Sequence, residues 1–195
     1  MKSKIAFVLL AWFAVQAVGL AQATHERAFR IRKSQFPSSA LEQATPYLDG
    51  VKRIRFYQET DSSQKSFDIR FKKDRLHYSA RYQSEGALQA VELGIGPIDI
   101  PGASWEAIGE HLNTAFGKYR IVQIMQQYPR AAFASDTETF RNAYQNLLLP
   151  EIRYKITFRA RSGSGQKTWE AVYDASGQLL SFREALPTNY DHVLY

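Results

Sequence analysis

The residues best suited to chemistry are few and scattered along the chain. His25, His77, His111 and His192 stand far apart, none with carboxylates at ligand spacing, so the sequence offers no metal site. There is no cysteine, which removes thiol catalysis and Cys-ligated zinc. Ser162-Gly163-Ser164-Gly165 has the glycine content of a phosphate loop but lacks the following Lys-Ser/Thr; between two alternating runs it reads as a hairpin turn. Asp174-Ala175-Ser176-Gly177-Gln178 resembles an acid beside a nucleophile. The matching segment Gln83-Ser84-Glu85-Gly86-Ala87 keeps the glycine and replaces the aspartate, so both copies need a turn residue with positive φ rather than a catalytic group. With no nucleophile elbow, His-Glu zinc helix or paired-carboxylate motif, the chain reads as non-enzymatic and as needing no cofactor.

Binding chemistry is better represented. If Ile54, Phe56, Phe67, Ile69 and Phe71 point inward, Arg53, Arg55 and Tyr57 share the opposite face with Arg70, Lys72 and Arg81. Arg153, Lys155 and Arg159 take the analogous face further on. Arginine and tyrosine side by side on a rigid sheet dominate binding surfaces. The candidate contacts are Arg55, Tyr57, Arg70, Lys72, Arg81, Lys155 and Arg159. Asp68 and Glu170 lie on these faces too, and cross-strand ion pairs on a solvated sheet would give the same pattern. Both readings stay open at this point.

The elements that must position these residues follow from periodicity. Pro37-Ser38-Ser39 leads into Ala40, Leu41, Ala44 and Leu48, a helical stripe that Pro46 shortens or kinks. Residues 51–59 read as a strand and Asp61-Ser62-Ser63 as a turn. Two alternating runs, around 67–71 and 76–82, follow on either side of Lys73-Asp74, and Ser84-Glu85-Gly86 turns the chain into 87–93. After a linker at 94–99 the order returns. Trp105, Ile108, Leu112 and Phe116 form a helical stripe, then come strands at 119–128, 154–159, 168–173 and 179–184. Residues 130–150 are an insertion carrying an extra helix that starts at Ser135-Asp136-Thr137-Glu138 and whose apolar stripe is Phe140, Tyr144, Leu147 and Leu148, suited to covering a sheet edge or face.

Residue matches reinforce the repeated order. Phe36-Pro37 corresponds to Ile100-Pro101, Leu41-Glu42 to Trp105-Glu106 and Leu48 to Leu112 at one offset. Ala80, Tyr82, Gly86, Leu88 and Val91 correspond to Ala171, Tyr173, Gly177, Leu179 and Phe182 at another. The expectation is an α+β protein of two tandem units, 34–93 and 100–186. Each would have one helix and a four-stranded antiparallel sheet, preceded by a leader at 24–33, a mobile segment or edge strand, and followed by a tail at 187–195.

The beginning of the chain has another purpose. Lys2 and Lys4, an apolar run of about 16 residues and Ala21-Gln22-Ala23 make residues 1–23 a cleavable secretion signal. The run is short of the roughly 20 residues a membrane-crossing helix needs. The product is expected in the periplasm or secreted, not spanning the membrane after cleavage. Without cysteine it has neither disulfides nor a lipid-modified cysteine. Removing the two signal lysines lowers the formal charge from +6 to +4, a mild balance that does not point to nucleic acid.

A signal followed by tandem helix-plus-strand units, with turns such as Tyr173-Asp174-Ala175-Ser176-Gly177-Gln178-Leu179-Leu180, resembles the PepSY-like proteins exported by Bacteroidetes-type bacteria. Their fold is similar to the tandem-domain beta-lactamase-inhibitor protein. The resemblance spans about Ser34 to Leu186 and implies a non-enzymatic envelope protein that binds or inhibits. It transfers no site residue, and the insertion and basic leader depart from the compact repeat. Three roles remain for the chain: recognition of an envelope protein or acidic ligand through sheet faces, ligand sequestration or hydrolysis in a cavity between the units lined by Trp105, Tyr128, Tyr144 and Trp169, or a purely structural part in the envelope.

Overall fold

The computed structural model describes residues 27–61, 64–163, 165–185 and 188–193. The expected secretion signal and the Ser62-Ser63 turn lie outside the described residues, as do the side chains of His25 and His192. Ten strands form one sheet in the order β10-β1-β2-β3-β4-β5-β6-β7-β8-β9. They are β1 (Arg27–Ile31), β2 (Lys52–Asp61), β3 (Gln64–Lys73), β4 (Leu76–Gln83), β5 (Leu88–Gly94), β6 (Tyr119–Pro129), β7 (Arg153–Ser162), β8 (Gly165–Asp174), β9 (Leu179–Glu184) and β10 (Thr188–Val193). From β1 to β9 each strand is antiparallel to the next, and β10 runs parallel to β1. Three α-helices join them: α1 (Ser38–Ala44), α2 (Gly102–Phe116) and α3 (Asp136–Tyr144). The protein is α+β, with a nine-stranded antiparallel run extended by one parallel strand.

Two expectations are corrected. In place of two four-stranded sheets there is one, because β5 and β6 pair from Ala90↔Pro129 to Gly94↔Met125. The reason lies in β5 itself: Ala90, Val91, Glu92 and Leu93 are all buried, so the strand is covered on both faces and its backbone groups need partners on both sides. The described part of the leader is not an edge strand: β1 pairs with β2 on one side and β10 on the other.

The helical expectations translate into short elements. Pro46 ends α1 after Ala44, and the chain continues as a 3₁₀ turn at Thr45–Tyr47, with the Thr45 hydroxyl donating to the Leu41 carbonyl at 2.7 Å. The insertion helix α3 starts as its sequence suggests. Ser135 Oγ accepts from the Glu138 backbone N–H at 3.1 Å, and Glu138 reaches back to accept from Ala134 N–H at 2.9 Å. Leu147 and Leu148 fall beyond the helix, and Leu148 is exposed.

All three helices contribute to a core on one face of the sheet. Ala40 and Ala44 of α1, Ile108 and Leu112 of α2 and Phe140 and Ala143 of α3 join Ile69, Tyr82, Val91, Tyr128, Tyr154, Ile156, Phe158 and Tyr173 from the strands. Helix α3 also fastens to the segment after α1. Tyr47 stacks on Phe140 with centroids 4.1 Å apart, its hydroxyl lies 2.8 Å from Thr137 Oγ1, and Tyr144 donates to the Tyr47 carbonyl at 2.5 Å. With apolar side chains committed to this face, alternation sends the charged positions to the other.

Candidate functional site

The helix-free face is concave, a trough of about 690 Å³ whose lining runs from Ala28 on β1 to Ala185 after β9. Alternation explains its floor. Phe67, Ile69 and Phe71 of β3 face the core, so Asp68, Arg70 and Lys72 face the trough; Tyr78, Ala80 and Tyr82 of β4 do the same for Ser79 and Arg81. On β7, Tyr154, Ile156 and Phe158 face the core and leave Lys155, Thr157 and Arg159 on the trough side.

The floor is an ion-pair network. Arg81 donates through Nε to Asp68 Oδ1 at 3.0 Å and through Nη2 to Glu59 Oε2 at 2.9 Å. Arg70 Nη2 donates to Glu59 Oε1 at 3.2 Å and Asp68 Oδ2 at 3.3 Å, while its guanidinium lies 4.2 Å from the centre of the Tyr57 ring. Beside it, Lys155 Nζ donates to both oxygens of Glu92 at 2.5 and 2.6 Å, and Gln127 donates to Oε1 at 2.9 Å. Asp68 is 1% exposed and Glu92 2%. Both carboxylates are thus shielded from water in the floor, while Arg70 and Arg81 stay partly exposed.

Burial and neighbouring charge divide the carboxylates. Burial raises Glu59, the Asp68 charge adds to it, and the carboxyl is pushed up to about 7 in spite of Arg81 and Arg70. Burial opposes ionisation of Asp68 as well, but there Arg81 and Arg70 prevail and hold it well below the usual carboxylate range. Glu92 also lies below its ordinary value, burial being outweighed by Lys155 and Arg81.

The rim is built differently. Nine Lys and Arg residues and five Asp and Glu residues line the trough. All five acids are paired: Glu59, Asp68 and Glu92 as above, Glu170 with Arg183 at 2.8 Å and Glu184 with Lys167 at 2.7 Å. Among the described residues Arg53, Arg55, Lys72 and Arg159 have no ion-pair partner. They cluster toward the end of the sheet where β2 and β6 start and β3 and β7 finish. Here like charges face one another directly, Lys52 opposite Lys72 and Arg55 opposite Arg70. Such pairs weaken a sheet. Arg53 sits in a bulge of β2 at φ 58°, a left-handed conformation few side chains adopt, which re-aims it into the trough. Partial burial, then the Lys72 and Arg53 charges, lower the pKa of His77 on the same rim.

The seven residues singled out by sequence therefore share one trough in two roles. Tyr57, Arg70, Arg81 and Lys155 belong to the floor, while Arg55, Lys72 and Arg159 stand on the rim. Glu59 and Glu92 went unnoticed in the sequence; Glu92 has the signal of a lone acid within the apolar run Ala90-Val91-Glu92-Leu93, whereas Glu59 lies among polar neighbours and has none. The four aromatic residues of the alternative cavity lie elsewhere. Tyr128 is buried in the core, Trp105, Tyr144 and Trp169 pack against it, and none lines the trough. The Asp174 motif is a turn: its Oδ1 accepts from Ser176 N–H, Ser176 Oγ and Gln178 N–H at 2.7 to 2.9 Å.

No protein-family model matches the chain, and no curated protein matches it. Solved structures of similar shape exist. A BLIP-like protein from Bacteroides fragilis is 12% identical, with 80% of this chain and 92% of that one covered and a TM-score of 0.47. A DUF2874 family protein from Bacteroides ovatus is 8% identical over 76% and 86% of the two chains, with a TM-score of 0.48. A protein from Bacteroides eggerthii described as periplasmic is 9% identical over 78% and 91%, with a TM-score of 0.49. At these identities and scores no residue role passes between the chains, and the site is read from its own geometry.

Proposed function

We propose that this chain is an exported, non-enzymatic binding protein of the bacterial envelope that recognises an acidic protein surface or other acidic ligand through its trough. One observation carries the reading: every acid lining the trough is already paired, and the four cations left over lie toward one end. A floor locked by ion pairs holds the surface in shape, so little ordering cost falls on association. Unpaired rim cations attract an acidic partner, speed its approach and disfavour basic ones. Residues 1–23, read as a secretion signal, support delivery to the periplasm or beyond, and the PepSY-like resemblance supports binding over catalysis. Among the described residues no helix is long and apolar enough to cross a membrane.

Internal duplication belongs to the same reading and draws support from a similar contact in each half, one residue out of step with the offsets of the residue matches. Ser39 Oγ at the start of α1 donates to the Glu85 carbonyl at 3.2 Å, and Ser104 Oγ at the start of α2 donates to the Ala175 carbonyl at 2.7 Å. Each contact brings a helix start onto a turn glycine. A Cβ on Gly86 would lie 2.1 Å from Ser39 Oγ, and one on Gly177 2.5 Å from the Ser104 carbonyl oxygen, with φ at +95° and +89°. Gly86→Ala and Gly177→Ala should each cost about 2 kcal/mol in urea unfolding. A neutral Gly86→Ala beside a damaging Gly177→Ala would remove that support.

The test of function is capture from a bacterial envelope extract on the immobilised mature chain. Wild type should retain a saturable partner that the Arg55→Glu, Lys72→Glu, Arg159→Glu triple variant loses. Recovery of the same partner by both would refute the trough as the binding surface.

A further inference from the structure

A second concavity, about 530 Å³, lies at the cationic end of the sheet and is lined by Lys118, Tyr119, Arg120, Arg159, Ala160, Arg161, Gly165 and Gln166. It contains four cations and no carboxylate. We infer that this cleft is a binding site for a compact multivalent oxyanion, a soluble ligand carrying two or more phosphoryl groups. The site goes beyond the trough: Arg159 borders both, but Lys118, Arg120 and Arg161 line the cleft alone.

The register shows why the cations converge. Arg120 of β6 sits directly opposite Arg159 of β7. Residues two apart on a strand share a face, so Arg161 stands beside Arg159, while Lys118 lines the same cleft from the bend just before β6. Directly opposed residues have Cβ atoms ~5 Å apart and next-but-one residues along a strand ~7 Å apart. Arg120, Arg159 and Arg161 thus spring from adjacent positions, and Lys118 borders the same cleft. All four residues are exposed, and none has an ion-pair partner among the described residues. A single carboxylate would neutralise one of the four. Linked phosphoryl groups concentrate several negative charges and several acceptor oxygens in that space, and the planar fork of arginine fits such oxygens two at a time. Gln166 adds a neutral side chain able to donate to the same oxygens.

The like-charged pair also gives the site a signature that a purely structural patch would lack. Arg120 and Arg159 repel one another in the free protein, so replacing either removes a small destabilising contact while removing a ligand contact. Titration of the mature chain with sodium tripolyphosphate at low ionic strength, followed by calorimetry, should show one saturable site. It should also raise the thermal midpoint, as a ligand of the folded state must, and weaken as salt is added. The Arg120→Gln, Arg161→Gln variant should bind at least about tenfold more weakly yet melt no lower than wild type. Arg55→Gln, Lys72→Gln in the trough should leave tripolyphosphate affinity within about twofold. That pair separates the fate of this site from the fate of the trough. The inference is overturned if tripolyphosphate shows no saturable binding or if Arg120→Gln, Arg161→Gln binds as well as wild type. It is equally overturned if citrate binds as tightly, or if only phosphatidylglycerol vesicles bind.

Discussion

The floor and the rim of the trough contain the same residue types arranged to opposite ends. In the floor, Arg70, Arg81 and Lys155 are partly or largely shielded from water and answered by Glu59, Asp68 and Glu92. On the rim, Arg53, Arg55, Lys72 and Arg159 stand beside other cations, with no acid paired to them among the described residues. A buried charge must be matched where it sits, because stranding it costs several kcal/mol. An exposed charge is screened by water and salt, and its pairing is worth little to the fold. The floor is therefore constrained by folding, whereas the rim is available for recognition. Arginine on a sheet face consequently has two meanings, and burial decides between them.

The largest effects should follow from breaking the floor. Asp68→Asn leaves Arg81 and Arg70 facing an uncharged amide and should cost about 3–5 kcal/mol in denaturant unfolding. Lys155→Met strands Glu92 and should cost about 3 kcal/mol by the same measurement, with part of the loss recovered when Glu92→Met is added. If either single change were neutral, the floor would not be the scaffold described.

Glu59 sharpens the comparison through pH. Its carboxyl is raised to about 7 by burial and by Asp68, so the folded protein holds this proton more tightly than the unfolded chain. Its contribution is present in full below the unfolded pKa and is lost as pH rises through about 7. Asp68, held low by Arg81 and Arg70, has the opposite sign: its contribution is present above the ordinary carboxylate range and disappears in acid. Glu59→Gln should flatten the fall in stability between about pH 4.5 and 7, a change on the order of 3 kcal/mol in urea unfolding. An unaltered pH profile would mean that Glu59 titrates like an exposed carboxylate.

On the rim the effects on stability should be small and of the reverse sign. Arg53→Gly relieves a left-handed residue and should gain up to about 1 kcal/mol. Lys72→Gln, which ends the repulsion across from Lys52, should change stability by no more than about 0.5 kcal/mol. Thermal melts of these variants test the division directly, since a rim needed for folding would show losses.

Much of this plan was legible in the sequence. Strand alternation placed Arg70 and Arg81 on one face and Lys155 on the analogous face of the second expected unit, and Pro46 pointed to a short or kinked α1. What local pattern could not show was the partner of each strand. The joining of β5 to β6 turned two expected sheets into one and brought Lys155 of β7 onto Glu92 of β5. The sequence left undecided whether the sheet cations form ion pairs or bind a partner, because cross-strand neighbours are set by register; the structure gives Arg81 to ion pairing and leaves Arg159 open. The leader had no period to reveal that β1 lies inside the sheet, since five residues are too few to distinguish an inner strand from an edge. Lys118, Arg120 and Arg161 drew no reading from the sequence, because only the β6–β7 register sets Arg120 against Arg159.

The central claim is that the rim, and not the floor, provides recognition. The most direct measurement compares partner capture from an envelope extract by wild type and by Arg55→Gln, Lys72→Gln, Arg159→Gln, with circular dichroism melts on both proteins. The account predicts a variant that melts like wild type or slightly higher and no longer retains the partner. A variant that keeps the partner, or one that loses it only because it has unfolded, would contradict it.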